Sequence, residues 1–415
     1  MSEAGTRPND SDGPAPPRFA AVSWQALLST YLPALVLALG TGIALPAIPT
    51  LAQSFDVSFG VASGVVTAYV LGNLAGTIPS GWLIDRFGRR PVLIAGPVLS
   101  AATAFLVVMS DSFPQLLVLR FFNGVAAQMW LMARLAAISH GAAADQRGRQ
   151  VSWMFGMDST GKLAGPVLGG FIAAEMGMRA PFMVYAVLAL ISLIPTLMYA
   201  ENTPPKARNR GTANATLRVL TWREIVMPRL PYFGVALFAG LTRGPLQADL
   251  LHLYAAFAYR LGPKEIGYIA TAAAVLSLPI GFIAGWMMDR FGRKHTMVPG
   301  FTGVAIATTA LAVSAFAELS LAWYVVLFLF CIVMQSLTGG SIQTVGADVA
   351  PPEARGTFLG LWRFTGQGGS ALGPILFSLL ADQVSYGWAF LSMTASAMAV
   401  AFLIIRYIPE TRKDG

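Results

Sequence analysis

GWLIDRFGRR at residues 81–90 recurs as GWMMDRFGRK at residues 285–294, an offset of 204 positions. A second correspondence follows each copy. Arg147-Gly148 and Gly165-Pro166 in the first half match Arg355-Gly356 and Gly373-Pro374 in the second, both at an offset of 208. Chance recurrence of a ten-residue stretch is negligible, so the chain consists of two copies of one unit running in the same direction.

The rest of the sequence says what that unit is. Of 415 residues, 55% are hydrophobic and only 12% charged, against about 25% charged in an average soluble domain. That excludes an ordinary soluble enzyme. It also excludes a disordered chain, which needs low hydrophobicity and high charge. A membrane-spanning helix needs roughly 20 apolar residues. Twelve such segments are predicted, six per copy, at approximately 26–49, 61–82, 92–109, 113–138, 151–174 and 180–200, then 231–257, 265–288, 298–316, 319–342, 355–381 and 385–407. The expected fold is an all-α membrane protein, its twelve helices forming two pseudo-symmetric six-helix bundles over 25–200 and 230–408. Residues 201–229 read as a charged cytoplasmic linker, and 1–24 and 409–415 as cytoplasmic tails, the first of them disordered. Parallel internal repeats of this kind describe a secondary transporter built around a central site.

Lys and Arg set the orientation. With the N-terminus inside, the inner ends and loops hold 20 of the 28 basic residues and the outer ones three. Both termini are therefore expected in the cytoplasm, with the protein in an inner (plasma) membrane and in contact with lipid. The net charge of +8 does not imply nucleic-acid binding, because the basic residues form short clusters between apolar runs rather than a stripe. One cysteine, Cys331, and three scattered histidines suggest neither a disulfide nor a metal site. No cofactor is implied: the chain has no phosphate-binding G-x-x-x-x-G-K-[ST] run. A nucleophile–base arrangement is also missing, so no enzyme is expected.

At this point the chain resembles the major facilitator superfamily over nearly its whole length. Gly81, Asp85, Arg86, Gly88, Arg89 and Arg90 match that family's first signature, and Gly285, Asp289, Arg290, Gly292, Arg293 and Lys294 repeat it. Leu116, Arg120, Asn123 and Gly124 on helix 4 resemble its second signature. Gly161, Gly165, Pro166, Gly169 and Gly170 on helix 5 look like the antiporter signature of drug/proton exporters. Helix 1 departs from several multidrug exporters in carrying no acid. The resemblance implies that the first signature, in both copies, latches one conformation while the halves rock, and that helix 5 gates. Physically, Gly81 and Gly88 allow close approach and a tight turn. Gly161, Gly165 and Gly169 lie on one face where another backbone can pack closely.

Charges inside the membrane are costly and usually functional. The acids are Asp158 and Asp249; the bases are Arg120, Arg134, Lys162, Arg243 and Arg363. Arg120 and Arg134 project within about 40° of each other on helix 4 at 100° per residue, towards an expected cavity. Asp158 and Lys162, at i and i+4, can pair. Gly244-Pro245 is expected to interrupt helix 7 beside that cavity, and Asp249 and His252 share one face beyond it. Asp158, Asp249 and His252 are therefore the proton-coupling candidates, since His titrates near neutrality when unperturbed. Arg120, Arg134, Arg243, Gln128, Gln247, Tyr324, Gln335 and Thr41 are the substrate-cavity candidates. The expectation is a monomeric, proton-coupled exporter of small organic or amphipathic compounds such as drugs. Symport of an organic anion or metabolite stays open, because intramembrane bases outnumber acids. A non-transporting membrane sensor is a remote alternative.

Overall fold

The computed structural model describes Leu28 and residues 31–141, 147–199, 227–247, 249–351 and 355–408. The tails expected at 1–24 and 409–415 lie outside the described residues, as does the linker expected at 201–229 apart from Met227–Arg229. The first half contains α1 (Leu32–Ala44 continuing as Ala47–Gln53), α2 (Phe59–Ala62 continuing as Gly64–Phe87), α3 (Arg89–Val108), α4 (Phe113–Gly141), α5 (Arg147–Met176) and α6 (Ala180–Tyr199). The second contains α7 (Leu230–Gln247 then Leu250–Tyr259), α8 (Pro263–Phe291), α9 (Lys294–Phe316), α10 (Leu321–Leu337 then Ser341–Asp348), α11 (Arg355–Gln383) and α12 (Tyr386–Tyr407).

Among the described residues, nine of these helices are long and apolar enough to cross a membrane on composition alone. The three others, α5, α7 and α11, carry Asp158, Lys162, Arg243, Asp249 and Arg363 together with glycine-proline sequences, while Arg120 and Arg134 lie on α4. Each packs against protein on several sides: α5 on α1 and α8, α7 on α11 and α12, α11 on α7, α12 and α2. Polar groups at membrane depth are tolerated where they face protein or a cavity instead of lipid.

The repeat is visible in the packing. In the first half α1 pairs with α5, α2 with α4 and α3 with α6; in the second, α7 pairs with α11, α8 with α10 and α9 with α12. It is visible in the backbone too. Gly88 ends α2 with φ 86° and ψ 173°, and Gly292 ends α8 with φ 91° and ψ 172°. Only glycine adopts that conformation cheaply, so both copies turn from one helix into the next in the same way. Arg86 lies over the rings of Trp82 and Phe87 at 5.2 and 5.6 Å, as Arg290 lies over Trp286 and Phe291 at 5.6 and 5.8 Å. Arg90 donates to the Leu197 carbonyl at 3.0 Å and Lys294 to the Ile405 carbonyl at 3.3 Å. Both carbonyls belong to the last turn of a helix, where orphan acceptors and the helix dipole favour a cation.

Those two turns define a signature end of the bundle. Contacts between the halves gather at the opposite end. There Pro166 and Gly170 of α5 meet Gly267 and Pro263 of α8, and Phe171 meets Tyr268 edge to face at 5.9 Å. Phe59, only 4% exposed, inserts between Phe257 and Tyr386 of the other half, 5.7 and 5.1 Å away. The structure is thus closed at the opposite end.

One glycine expectation needs correcting. A Cβ on Gly81 or Gly285 would meet nothing within 4 Å, so no helix approaches closely there in this conformation. The α5 stripe splits in two. Gly161, Gly165 and Gly169 pack on α1 within the first half; Pro166 and Gly170 alone face the second half.

Candidate functional site

A cavity of about 440 Å³ opens inside the first half and reaches the second at Gln247 and Asp249. Arg120 and Arg134 both line it from α4, some 21 Å apart along the axis at 1.5 Å per residue. The 40° offset read from the sequence therefore brings them to one wall.

Arg134 is 4% exposed and grips Asp158 with a two-pronged pair, Nη1 to Oδ1 at 2.8 Å and Nη2 to Oδ2 at 2.9 Å. Its guanidinium also lies 5.1 Å from the Trp130 ring. Parallel N–H···O bonds of this kind are strong and geometrically specific. The expected Asp158–Lys162 pair is absent, because both carboxylate oxygens face α4 instead of running along α5. Lys162 is exposed and lines the same cavity.

Arg120 is a hub. It donates from Nη1 to Asn123 Oδ1 at 3.3 Å and lies 4.7 Å from the ring of Tyr69 on α2. Asn123 Nδ2 in turn donates to Thr103 on α3 at 3.2 Å and to the Tyr185 hydroxyl on α6 at 3.4 Å. Four helices thereby fix one cation. Asp249, from the second half, lines the same cavity.

Asp249 sits where α7 breaks. The helix runs through Gly244-Pro245 to Gln247, so the interruption falls later than expected. Asp249 takes φ 58° and ψ 21°, a left-handed conformation, and starts the next helical segment. That costs roughly 1–2 kcal/mol for a residue with a Cβ, and such strain collects at functional sites. His252 is 8% exposed behind it, Nδ1 lying 3.6 Å from Asp249 Oδ1. Neither ring nitrogen of His252 has a hydrogen-bond partner among the described residues.

Thr41, Arg120, Arg134, Asp158, Gln247 and Asp249 are all on the cavity wall. Four other cavity candidates are not. Gln128 is buried where α4 meets Gly76 of α2. Tyr324 is fully buried and donates its hydroxyl to the Leu251 carbonyl at 2.7 Å, inside an aromatic cluster with Tyr254, Tyr259 and Phe328. Gln335 accepts from Thr338 through its own carbonyl, and its side-chain oxygen is buried without a partner among the described residues. Arg243 donates to the carbonyl and, at 2.7 Å, to the hydroxyl of Thr338. It thereby caps the broken end of α10, a structural use of an intramembrane cation.

The latch residues face their own halves. Arg89 donates to the Ala137 carbonyl at 3.4 Å, and Arg293 pairs with Asp348 at 3.1 Å. Asp85 is exposed, with no ion pair among the described residues. The side chain of Asp289 lies outside the described residues.

Comparison with known proteins decides the family. The model of the Major Facilitator Superfamily matches residues 30–251 and 235–415, the two matches falling on the two repeats. The chain belongs to the Major Facilitator Superfamily. It is a multi-pass membrane protein and a secondary transporter. It is 23% identical over 389 residues to the tetracycline resistance protein, class B, of Escherichia coli, covering 91% of this chain and 94% of that one. It is 24% identical to multidrug resistance protein 1 of Bacillus subtilis (strain 168), over 90% and 94% of the two chains. The D-xylose-proton symporter structure superposes with a TM-score of 0.77 at 17% identity, over 93% of this chain and 98% of that one. That last likeness shows the shared fold.

Tyr69, Asn73 and Tyr185 also line the cavity and escape a search for charge. Tyr69 and Asn73 stand at i and i+4, which puts both on one face of α2; polar spacing within an apolar span is the signal that finds them.

Proposed function

We propose that this transporter exports small amphipathic compounds, such as drugs, across a bacterial inner membrane in exchange for protons. The halves rock as a monomer about the cavity between Arg120 and Asp249. The sequence count of 20 basic residues in inner ends and loops against three in outer ones supports a cytoplasmic signature end and cytoplasmic termini, and with them an observed conformation open to the inside. Small-molecule substrate, protons and lipid are its partners; nucleic acid and cofactors have no part.

The observation that carries this reading is a single cavity lined by Arg120 of the first half and Asp249 of the second. Opposite charges carried by the two halves change their separation whenever the halves move, so proton and substrate occupancy of the cavity couples to the conformation. Asp249 and His252 carry the proton, and Asp158 is the second candidate. Gly161, Gly165, Pro166, Gly169 and Gly170 form the hinge-side packing of the gating helix. Asp85 with Arg86, Arg89 and Arg90, and Asp289 with Arg290 and Arg293, latch the signature end when the halves close there. Exposure of Asp85 in a structure closed at the opposite end supports that role. Relatives named for tetracycline and multidrug resistance support the export of drugs.

The test uses liposomes holding the purified protein and a lumenal pH dye, with no gradient imposed. Tetracycline, ethidium and anthracene-2-carboxylate are added outside in turn. At least one should raise lumenal pH, and Asp249→Asn should abolish the rise. Acidification of the lumen would mean symport; no change with any compound overturns proton exchange.

A further inference from the structure

The cavity's charges do not balance. Three cations line it, Arg120, Arg134 and Lys162, and two acids, Asp158 and Asp249. Asp158 gives both oxygens to Arg134. Arg120 is held by Asn123 and Tyr69, and Asp249, beside His252, supplies the second negative charge on the wall. Lys162 is the remainder. It is exposed to the cavity, and no carboxylate lies within ion-pair distance of it among the described residues.

Its place on α5 is held by the packing on either side of it. Gly161 and Gly165 press against α1, and a Cβ added to Gly42 would lie 3.3 Å from the Lys162 Cα. The lysine therefore emerges at the α1–α5 seam, beside Thr41 on the cavity wall. Fifteen residues separate it from the start of α5 at Arg147, or roughly 22 Å of a helix about 45 Å long at 1.5 Å per residue. It stands at mid-membrane. An ammonium at that depth is expensive and marks a substrate or ion pathway. Trp130, Tyr69 and Tyr185 offer flat apolar surface on the same cavity.

We propose that Lys162 binds the anionic oxygen group of the substrate, so that this transporter takes amphipathic aromatic monoanions. The inference rests on the transport reading and names its substrate class. A single negative charge neutralises the one uncompensated cation, whereas a cationic compound adds to the excess. Lys162 belongs to the first half and Asp249 to the second, so the anion and the proton have separate holders on the cavity wall.

The experiment measures binding, which needs no proton flux. The full chain in lipid nanodiscs is titrated calorimetrically with anthracene-2-carboxylate, its uncharged carboxamide and anthracen-2-ylmethylammonium. The carboxylate should bind about tenfold or more tighter than either congener, the scale of a hydrogen bond to a charged group. Lys162→Met should erase that preference while leaving carboxamide binding unchanged, and Lys162→Arg should retain it. If Lys162→Met does not insert and fold, Lys162→Gln reads the same loss. A carboxylate that binds no tighter than its congeners overturns the proposal, including the case in which none of the three binds. So does a preference that survives removal of the lysine. Silence in the liposome assay with this binding order intact would sink proton exchange alone; exchange with the cation bound best would sink the role of Lys162 alone.

Discussion

Asp382, at the end of α11, caps the start of α2 across the two halves: Ser58 Oγ donates to its Oδ2 at 2.6 Å and the Gly60 N–H to its Oδ1 at 2.8 Å. Ser58 is itself the N-cap of that helix, accepting from the Val61 N–H. A carboxylate at a helix N-terminus satisfies orphan donors and complements the dipole. Here the carboxylate belongs to the opposite half, so the cap exists only while this end is closed.

Asp382→Ala should therefore favour the state open at this end. The bonds are exposed, so the loss is about 0.5–1.5 kcal/mol, a two- to tenfold shift in the equilibrium. Spin labels on α2 and α11 near residues 61 and 379, in a background with Cys331→Ala, would read it as growth of a longer-distance population. An unchanged distance distribution would mean the aromatic contacts around Phe59 hold the end closed without help.

Glycines of the two signatures should separate sharply. A Cβ at Gly169 would fall 1.9 Å from the Ile43 carbonyl oxygen, and one at Gly165 2.6 Å from the Gly42 Cα. Gly169→Ala should destabilise the protein by roughly 1–3 kcal/mol, seen as a lower melting temperature in detergent. Gly81→Ala meets open space and should leave the melting temperature unchanged or slightly higher. If Gly81→Ala nonetheless slows transport, the signature end closes on it in the other conformation, as a latch requires. Equal melting losses for both variants would contradict the packing described.

How far the sequence carries is clear from such positions. Gly88 and Gly292 are legible because a turn that only glycine tolerates leaves a mark in the repeat. The apolar spans are legible because a run of about 20 apolar residues is long enough to cross a bilayer. The site is less so. Spacing along α5 suggests Lys162 for Asp158, yet Arg134, on another helix, takes both oxygens because a planar guanidinium fits a carboxylate better than an ammonium does. Gly244-Pro245 looks like the break in α7, but the strain falls on Asp249, and nothing in composition marks a left-handed residue. Asp382 reads as part of an outer connection until α2 is seen to begin beneath it.

Arg134 and Asp158 offer a way to tell structure from coupling. Removing one partner leaves a buried charge unpaired, so Arg134→Met and Asp158→Leu should each cost about 3–5 kcal/mol, while the double variant recovers most of that. Thermal unfolding of the three variants tests it. Recovery of stability together with proton exchange in the double variant would mean the pair is a strut alone and remove Asp158 from the proton candidates.

Asp249 should show the opposite pattern, stability gained as function is lost. Its φ of 58° is unfavourable for aspartate and free for glycine. Asp249→Gly should therefore melt no lower than the parent, and higher if relief of strain outweighs the extra freedom of the unfolded chain, a balance within about 1 kcal/mol. It should also uncouple substrate from protons, leaving no lumenal pH change in liposomes. Asp249→Asn keeps the side-chain shape and tolerates the same backbone, so it should retain stability and lose exchange equally. A residue kept in a strained conformation for packing would give the reverse, a large melting loss with exchange preserved. The two outcomes separate on one pair of measurements because the strain and the carboxylate sit on the same residue, 3.6 Å from His252.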